Sequence, residues 1–290
     1  MRVFVTGATG FIGSHVAREL LAHGHQVLGL TRSDAGAAKL EAAGIEPYRG
    51  TIDDPDGLRE GALQSDGVIH TAFDHSNLAD LPAAAVKDLA VVQALGEELA
   101  GKPFVTTYGT TALNPGHLLT EDFLPTPPQA RGIVEAHTRQ LAEKDVRAVS
   151  VRPSTVVHGF GNAGFVSILI GLAREKGMSG YPGDGSSRWP AVHVLDAAVL
   201  YRLALEKAPA GSVLHAVQDE GVTVRQIAEA VGRGTGLPVG SVAPEHFGWL
   251  GQLMSLDVPA SSATTRELTG WTPVQPGLIE DLDAGLPFQG

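Results

Sequence analysis

Short apolar runs and amphipathic stretches alternate along most of this chain. Val3, Phe4 and Val5 form an unbroken apolar run, the pattern of a strand buried on both faces. Phe11, Ile12, Val16, Leu20 and Leu21 then recur at helical intervals. Gln26 to Thr31 reads as a second strand, Ala35 to Ala43 as a helix ended by Gly44, and Ile45 to Tyr48 as the start of a third strand. Gly67 to Phe73 is the fourth strand, and Leu89 to Leu99 is a helix with apolar residues at 89, 92, 95 and 99. Pro103 to Thr107 is the fifth strand, Arg131 to Lys144 a helix and Arg147 to Val151 the sixth strand, with the proline-rich Leu118 to Gln129 as a loop. Strands alternating with helices in this way predict an α/β fold with a doubly wound parallel sheet.

After Gly159 the pattern changes. Phe165 to Arg174 reads as an amphipathic helix, and Ser179 to Asp196 as a loop with short strands. Val192 to Lys207 is a helix, Val213 to Val217 a buried strand, Val224 to Val231 a helix, and Thr264 to Thr269 a helix ending at Gly270.

Between the first strand and the first helix stand Gly7, Gly10 and Gly13 at three-residue spacing. Strand, glycine turn and helix together make a dinucleotide fingerprint. Gly7 makes the tight turn, Gly10 lets the backbone approach a pyrophosphate, and Gly13 lets the helix lie close on the strand. The N–H groups at the helix start face the phosphates. Gly7, Thr9, Gly10, Phe11, Ile12 and Gly13 are therefore candidate cofactor-binding residues.

The second strand ends where an acid would hold the ribose 2′-hydroxyl of NAD. Thr31, Arg32 and Ser33 stand there, with Asp34 one step later. A cation and hydroxyls suit a 2′-phosphate, so Arg32 and Ser33 favour NADP(H), while Asp34 keeps NAD(H) open. Ala72 and Phe73 lie at the carboxyl end of the fourth strand, where ligands of open α/β sheets bind. His70 reads as a strand residue rather than a ligand.

Bulk properties narrow the function classes. The 290 residues carry a formal charge of −11 with no Lys/Arg run, which argues against a nucleic-acid partner. There are no cysteines, hence no disulfide and no thiolate metal site. The eleven histidines show no HExxH pattern and no clustered metal spacing. The chain opens directly on a strand without a signal peptide, and no apolar run reaches the ~18–20 residues of a membrane span. A cytoplasmic protein with no membrane partner is expected.

The string TGATGFIGSHV, from Thr6 to Val16, resembles the N-terminal signature of the short-chain dehydrogenase/reductase superfamily in its extended or atypical, epimerase/dehydratase-like branch. RPSTVVHG, Arg152 to Gly159, is similar to the family segment after strand six, and GWTP with LIEDL resembles the ending of extended members. The resemblance implies a Rossmann-type nucleotide domain over 1–158, rejoined by about 190–218. A smaller C-terminal substrate lobe would be built from 159–189 and 219–290. It also implies roles. Thr51 holds the usual acid position of the adenine loop, with Ile52 after it; Ala72 and Phe73 would border the nicotinamide ribose; Pro153, Ser154 and Thr155 would line the nicotinamide end. His158, Phe160, Phe165, Arg188, Trp189 and His193 are the substrate-lobe candidates.

At one place the chain departs from the family. Four residues after Tyr48, Tyr108, Tyr181 and Tyr201 stand Ile52, Ala112, Gly185 and Leu205, so the catalytic Tyr-x-x-x-Lys is absent. Arg131 and Glu135 are the equivalents on the matching helix; at i,i+4 they could also simply pair with each other. A proton donor is still required. Tyr108 is the candidate, with a hydroxyl from Thr107 or Thr110 to orient the carbonyl and Arg131 as electrostatic support. A one-residue slip at Tyr108 would reverse its face.

The first reading is an NADP(H)-dependent oxidoreductase acting on a small or medium carbonyl/alcohol pair, with a homodimer left open. An epimerase or dehydratase retaining NAD is the second, with Arg188 as the one clear cation for a diphosphate. A catalytically silent NAD(P)-binding regulatory protein is the third.

Overall fold

The computed structural model describes residues 1–74, 80–110, 117–124, 131–159 and 164–285. The first half of the chain runs β1 (Arg2–Thr6), α1 (Phe11–Ala22), β2 (Gln26–Thr31), α2 (Asp34–Ala42), β3 (Glu46–Arg49), α3 (Pro55–Leu63), β4 (Gly67–His70), α4 (Leu81–Gly96), β5 (Pro103–Thr107), α5 (Gly132–Ala142) and β6 (Arg147–Pro153). Then come β7 (Val156–His158), α6 (Phe165–Lys176), β8 (Ser179–Pro182), β9 (Arg188–His193), α7 (Val194–Lys207), β10 (Val213–Ala216) and β11 (Asp219–Thr223). The chain closes with α8 (Val224–Thr235), β12 (Val239–Val242), a 3-10 helix (Pro244–Leu250), α9 (Gly251–Met254), α10 (Ala263–Thr269) and α11 (Leu278–Asp283).

Seven parallel strands form the central sheet in the order β3-β2-β1-β4-β5-β6-β10. The order reverses at β1, which puts the crevice for a dinucleotide at the carboxyl end of β1. Alternation along β1 feeds two cores. Val3 and Val5 pack with Val16 and Leu20 of α1 and Tyr201 and Ala204 of α7. Phe4 packs on the opposite face with Leu58 of α3, Val91 and Leu95 of α4 and Val134 of α5. This is the Rossmann-type doubly wound sheet that the apolar pattern predicts.

A further core gathers Trp189, Val224, Ile227, Val231, Leu278 and Leu282 around two small sheets, β11-β9-β7 and β12-β8. Some boundaries differ from expectation. Residues 192–193 are strand rather than helix, because Val192 and His193 pair with Val157 and His158 of β7. β4 stops at His70, where the Thr71 hydroxyl donates to the Thr6 carbonyl at 2.7 Å and draws the chain out of the ladder. Helix α4 starts at Leu81, well before Leu89, because Asp80 caps it and a proline follows. Helix α3, capped by Asp54, and strands β11 and β12 were not expected. Among the described residues no helix is long and apolar enough to cross a membrane, and no group of three or more His, Cys, Asp or Glu could hold a metal ion.

Candidate cofactor and active site

The chain turns out of β1 at Gly7, whose φ of +72° suits glycine. A Cβ on Gly13 would lie 2.2 Å from the Gly7 carbonyl oxygen, so only glycine lets α1 close on the turn. Gly10 differs. A Cβ there would meet the Gly7 carbonyl oxygen alone, at 3.2 Å. Helix α1 begins at this point with no side-chain cap, which leaves the N–H groups of its first turn for a ligand. A bare glycine at the tip of an uncapped helix fits a pyrophosphate. Phe11 and Ile12 open the helix half-buried, and the Thr9 carbonyl accepts from Lys39 Nζ at 3.1 Å.

At the end of β2, Arg32 is exposed and forms no ion pair among the described residues. Ser33 caps α2, its hydroxyl oxygen accepting from the Gly36 N–H at 3.0 Å. Asp34, the acid that keeps NAD(H) open, is held by Arg49 at 3.0 Å. Further along, the Thr51 hydroxyl donates to Asp53 at 3.0 Å, and Ile52 rests on the core below the sheet. Lys87 of α4 bridges Asp53 at 2.7 Å and Asp74 at 2.6 Å, and so ties the segment after β3 to the segment after β4.

At the other end of the crevice, Arg131 forms the N-cap of α5. Its Nε donates to Asp88 Oδ2 at 3.0 Å, Nη2 donates to the Thr107 carbonyl at 3.0 Å, and the guanidinium stacks 3.9 Å from the Phe73 ring centroid. Nη1 makes no hydrogen bond to a described residue. Burial pushes the Asp88 carboxyl up, but the His70 N–H and the Arg131 charge outweigh it and hold the group below its usual range. Ala72 lies beside this group, its N–H donating to the Thr6 hydroxyl oxygen at 3.3 Å.

The other catalytic candidates are engaged elsewhere, and this corrects the expectation. The Tyr108 N–H bonds to the Val151 carbonyl at 3.0 Å, so the ladder continues through 108 and the face is reversed from that of Thr107. The Tyr108 ring is 1% exposed, packed with Leu119, Val217 and Ala260. Its hydroxyl has no partner among the described residues, and burial beside Glu135 pushes the phenol up to about 12. The Thr107 hydroxyl donates to the His70 carbonyl at 2.8 Å and accepts from Tyr201 at 2.9 Å. Thr110 is fully buried against Thr155 at 3.4 Å. Glu135 does not pair with Arg131; it accepts from Arg152 and from the Ser150 hydroxyl, both at 2.8 Å. The turn after β6 is also committed: Pro153 ends the strand and the Ser154 hydroxyl donates to the Ala216 carbonyl at 2.6 Å.

Beyond the central sheet, Arg188 is an exposed surface ion pair with Asp257 at 2.8 Å, not a free cation. Trp189 is fully buried in the core around the two small sheets and donates from its indole to the Leu256 carbonyl at 3.2 Å. Phe165 leads outward from it, 6.0 Å from Trp189 and 6.4 Å from Trp249 between ring centroids. His158 is buried against Asp281 at 2.8 Å, and His193 stands edge-on to it at 5.4 Å with Nδ1 accepting from the Leu195 N–H. Phe160 lies outside the described residues.

Sequence reading missed Asp88, Lys39 and Arg49. Asp88 left a signal: it lies on the buried stripe of α4 with Ala84, Ala85, Val91, Val92 and Leu95, where a lone acid calls for partners. Lys39 and Arg49 left none, because their partners lie in other segments.

A profile of the NAD dependent epimerase/dehydratase family matches residues 3–217. An uncharacterized protein of Schizosaccharomyces pombe, C2A9.02, is 47% identical over 99% of this chain and 100% of its own length. Among solved structures, a Thermotoga maritima UDP-glucose 4-epimerase with UDP-glucose matches with a TM-score of 0.78 at 22% identity, over 99% of this chain and 98% of that one. A Thermus thermophilus UDP-glucose 4-epimerase complex with NAD matches with a TM-score of 0.74, also at 22% identity, over 99% and 98%. More distant relatives include both epimerases and ketoreductases. With its seven-stranded parallel sheet and glycine turn, the chain belongs to the NAD-dependent epimerase/dehydratase family, within the extended short-chain dehydrogenases/reductases.

Proposed function

We propose that this protein is an NADP(H)-dependent oxidoreductase that interconverts a small or medium-sized carbonyl compound and its alcohol, with Arg131 in the place of the absent tyrosine. The observation that carries the reading is the state of the catalytic candidates. Tyr108, Thr107, Thr110 and Glu135 are buried or bonded, whereas Arg131 is held by Asp88 and Thr107 with Nη1 left over. The nicotinamide cofactor, when bound, supplies the hydride. Gly7, Gly10 and Gly13 would hold its pyrophosphate, and Arg32 with Lys39 its 2′-phosphate, since Asp34 is taken up by Arg49. Nη1 of Arg131 donates to the carbonyl oxygen as negative charge develops there, and the proton is drawn from water. Phe73 beneath the guanidinium keeps its lower face dry.

Epimerisation of a sugar nucleotide, the activity named for the related epimerases, has less support. The diphosphate needs cations, and Arg188 is engaged by Asp257.

The test is NADPH oxidation on a panel of ketones and aldehydes. Turnover is expected, and Arg131→Met should lower it by about 10²–10³-fold while NADPH still binds. Cofactor binding with no turnover on any member would overturn the reading in favour of a regulatory binding protein.

A further inference from the structure

Asp88 is 3% exposed and already has two partners, His70 and Arg131. His70 Nε2 donates to Oδ1 at 2.8 Å, while Arg131 Nε and Nη2 approach Oδ2 at 3.0 and 2.9 Å. His70 is fixed in turn. The Thr6 hydroxyl donates to His70 Nδ1 at 2.7 Å and accepts from the Ala72 N–H, which leaves the His70 proton on Nε2 for the carboxylate. Thr6 and His70 are register partners on adjacent strands, and Thr6 immediately precedes the phosphate turn. One hydrogen-bonded line therefore runs from that turn to Arg131.

The line has two effects. It fixes the guanidinium so that, among the described residues, Nη1 keeps its N–H groups for a ligand. It also cancels the guanidinium charge with a buried carboxylate. A cancelled cation still gives a hydrogen bond to a carbonyl oxygen that is neutral on binding and gains charge only as the hydride arrives. It gives less to a substrate carboxylate, which must shed its water in full beside a carboxylate that is already negative.

We propose that Asp88, supported by His70, is a positioning and specificity-determining residue. It presents Arg131 to an uncharged carbonyl and excludes substrates that carry a carboxylate at that point. The inference rests on Arg131 facing the substrate, as read above.

Acetate is the probe, titrated into the protein without cofactor while the Arg131 Nε resonance is followed by NMR. Asp88→Asn keeps the size of the side chain and still accepts from His70. It should bind acetate at least about tenfold more tightly than the unaltered protein, because the cation is then uncompensated. Adding Arg131→Met to that variant should abolish the gain. With NADPH, the ratio of kcat/KM for a 2-oxo acid over an uncharged ketone of equal size should rise at least about tenfold in Asp88→Asn. If asparagine is not tolerated there, Asp88→Ser carries the same expectations. Equal acetate affinity in variant and unaltered protein, or an unchanged substrate ratio, overturns the inference. Absence of all carbonyl turnover in the unaltered protein overturns the oxidoreductase reading instead, and the acetate arm still decides the role of Asp88.

Discussion

Arg131 and Glu135 stand one helical turn apart at the start of α5, yet they do not pair. Arg131 turns to Asp88 of α4, and Glu135 turns to Arg152 of β6. The i,i+4 pairing open to them on an isolated helix contributes only ~0.2–0.5 kcal/mol. A buried partner contributes more, because a charge left alone there costs several kcal/mol. Arg131 and Glu135 thus serve different networks, one at the carboxyl ends of the strands and one inside the fold.

Cofactor preference should follow the charges around β2. Arg32→Ala should weaken NADPH binding by about 1–3 kcal/mol, the loss of one charge-assisted contact, and leave NADH nearly unchanged. Arg49→Ala releases Asp34 from its ion pair and should narrow the NADPH preference by tightening NADH. Calorimetric titration of both cofactors reads both effects. Equal losses for NADPH and NADH in Arg32→Ala would remove that residue from 2′-phosphate recognition.

The glycines of the turn should separate binding from folding. Gly10→Val meets only one protein atom near its Cβ, so the fold should persist while cofactor binding is abolished. Gly13→Ala drives a methyl to 2.2 Å from the Gly7 carbonyl oxygen and should lower stability by about 1–3 kcal/mol. Urea unfolding together with tryptophan-fluorescence titration distinguishes the two. A Gly10→Val protein that keeps its cofactor affinity would reduce the turn to a structural element.

Tyr108→Phe tests whether the phenol donates a proton, and the geometry predicts that it does not. The hydroxyl is buried and unpartnered, so removing it should leave turnover unchanged and stability equal or raised by up to ~1–3 kcal/mol. Melting curves and NADPH turnover of the variant check this. A tenfold fall in turnover would return Tyr108 to the catalytic group.

Acid sensitivity should come partly from His215. Its Nδ1 donates to the Ser261 carbonyl at 2.7 Å and its Nε2 accepts from Arg152 at 3.2 Å, an arrangement that requires the neutral ring. Burial, and then the Arg152 charge, push its pKa from 6.5 down to about 4. Above the unfolded value neither state is protonated, and the stabilisation is complete. Between about pH 6.5 and 4 the unfolded chain takes up a proton that the folded one refuses, so stability falls by up to ~3 kcal/mol. His215→Gln should be less stable at pH 7 but lose less across that window in urea unfolding. Parallel slopes for the two proteins would assign the loss to other groups.

The alternation of strands and helices, the glycine turn, the cation after β2 and the missing Tyr-x-x-x-Lys are legible in the chain alone. Those features are local: a strand buried on both faces, a turn with positive φ and a helix start each leave their mark within about a dozen contiguous residues. The sequence did not determine which partner each ionisable group takes. Asp88 meets Arg131 across 43 residues, Arg188 meets Asp257 across 69, and Glu135 meets Arg152 through the register of β6. The direction of Tyr108 depended on whether the β5 ladder ran one residue further, and only the bond to Val151 decided it. Charge pairing in a folded chain is set by distance and burial, and both exist only after the strands have been laid side by side.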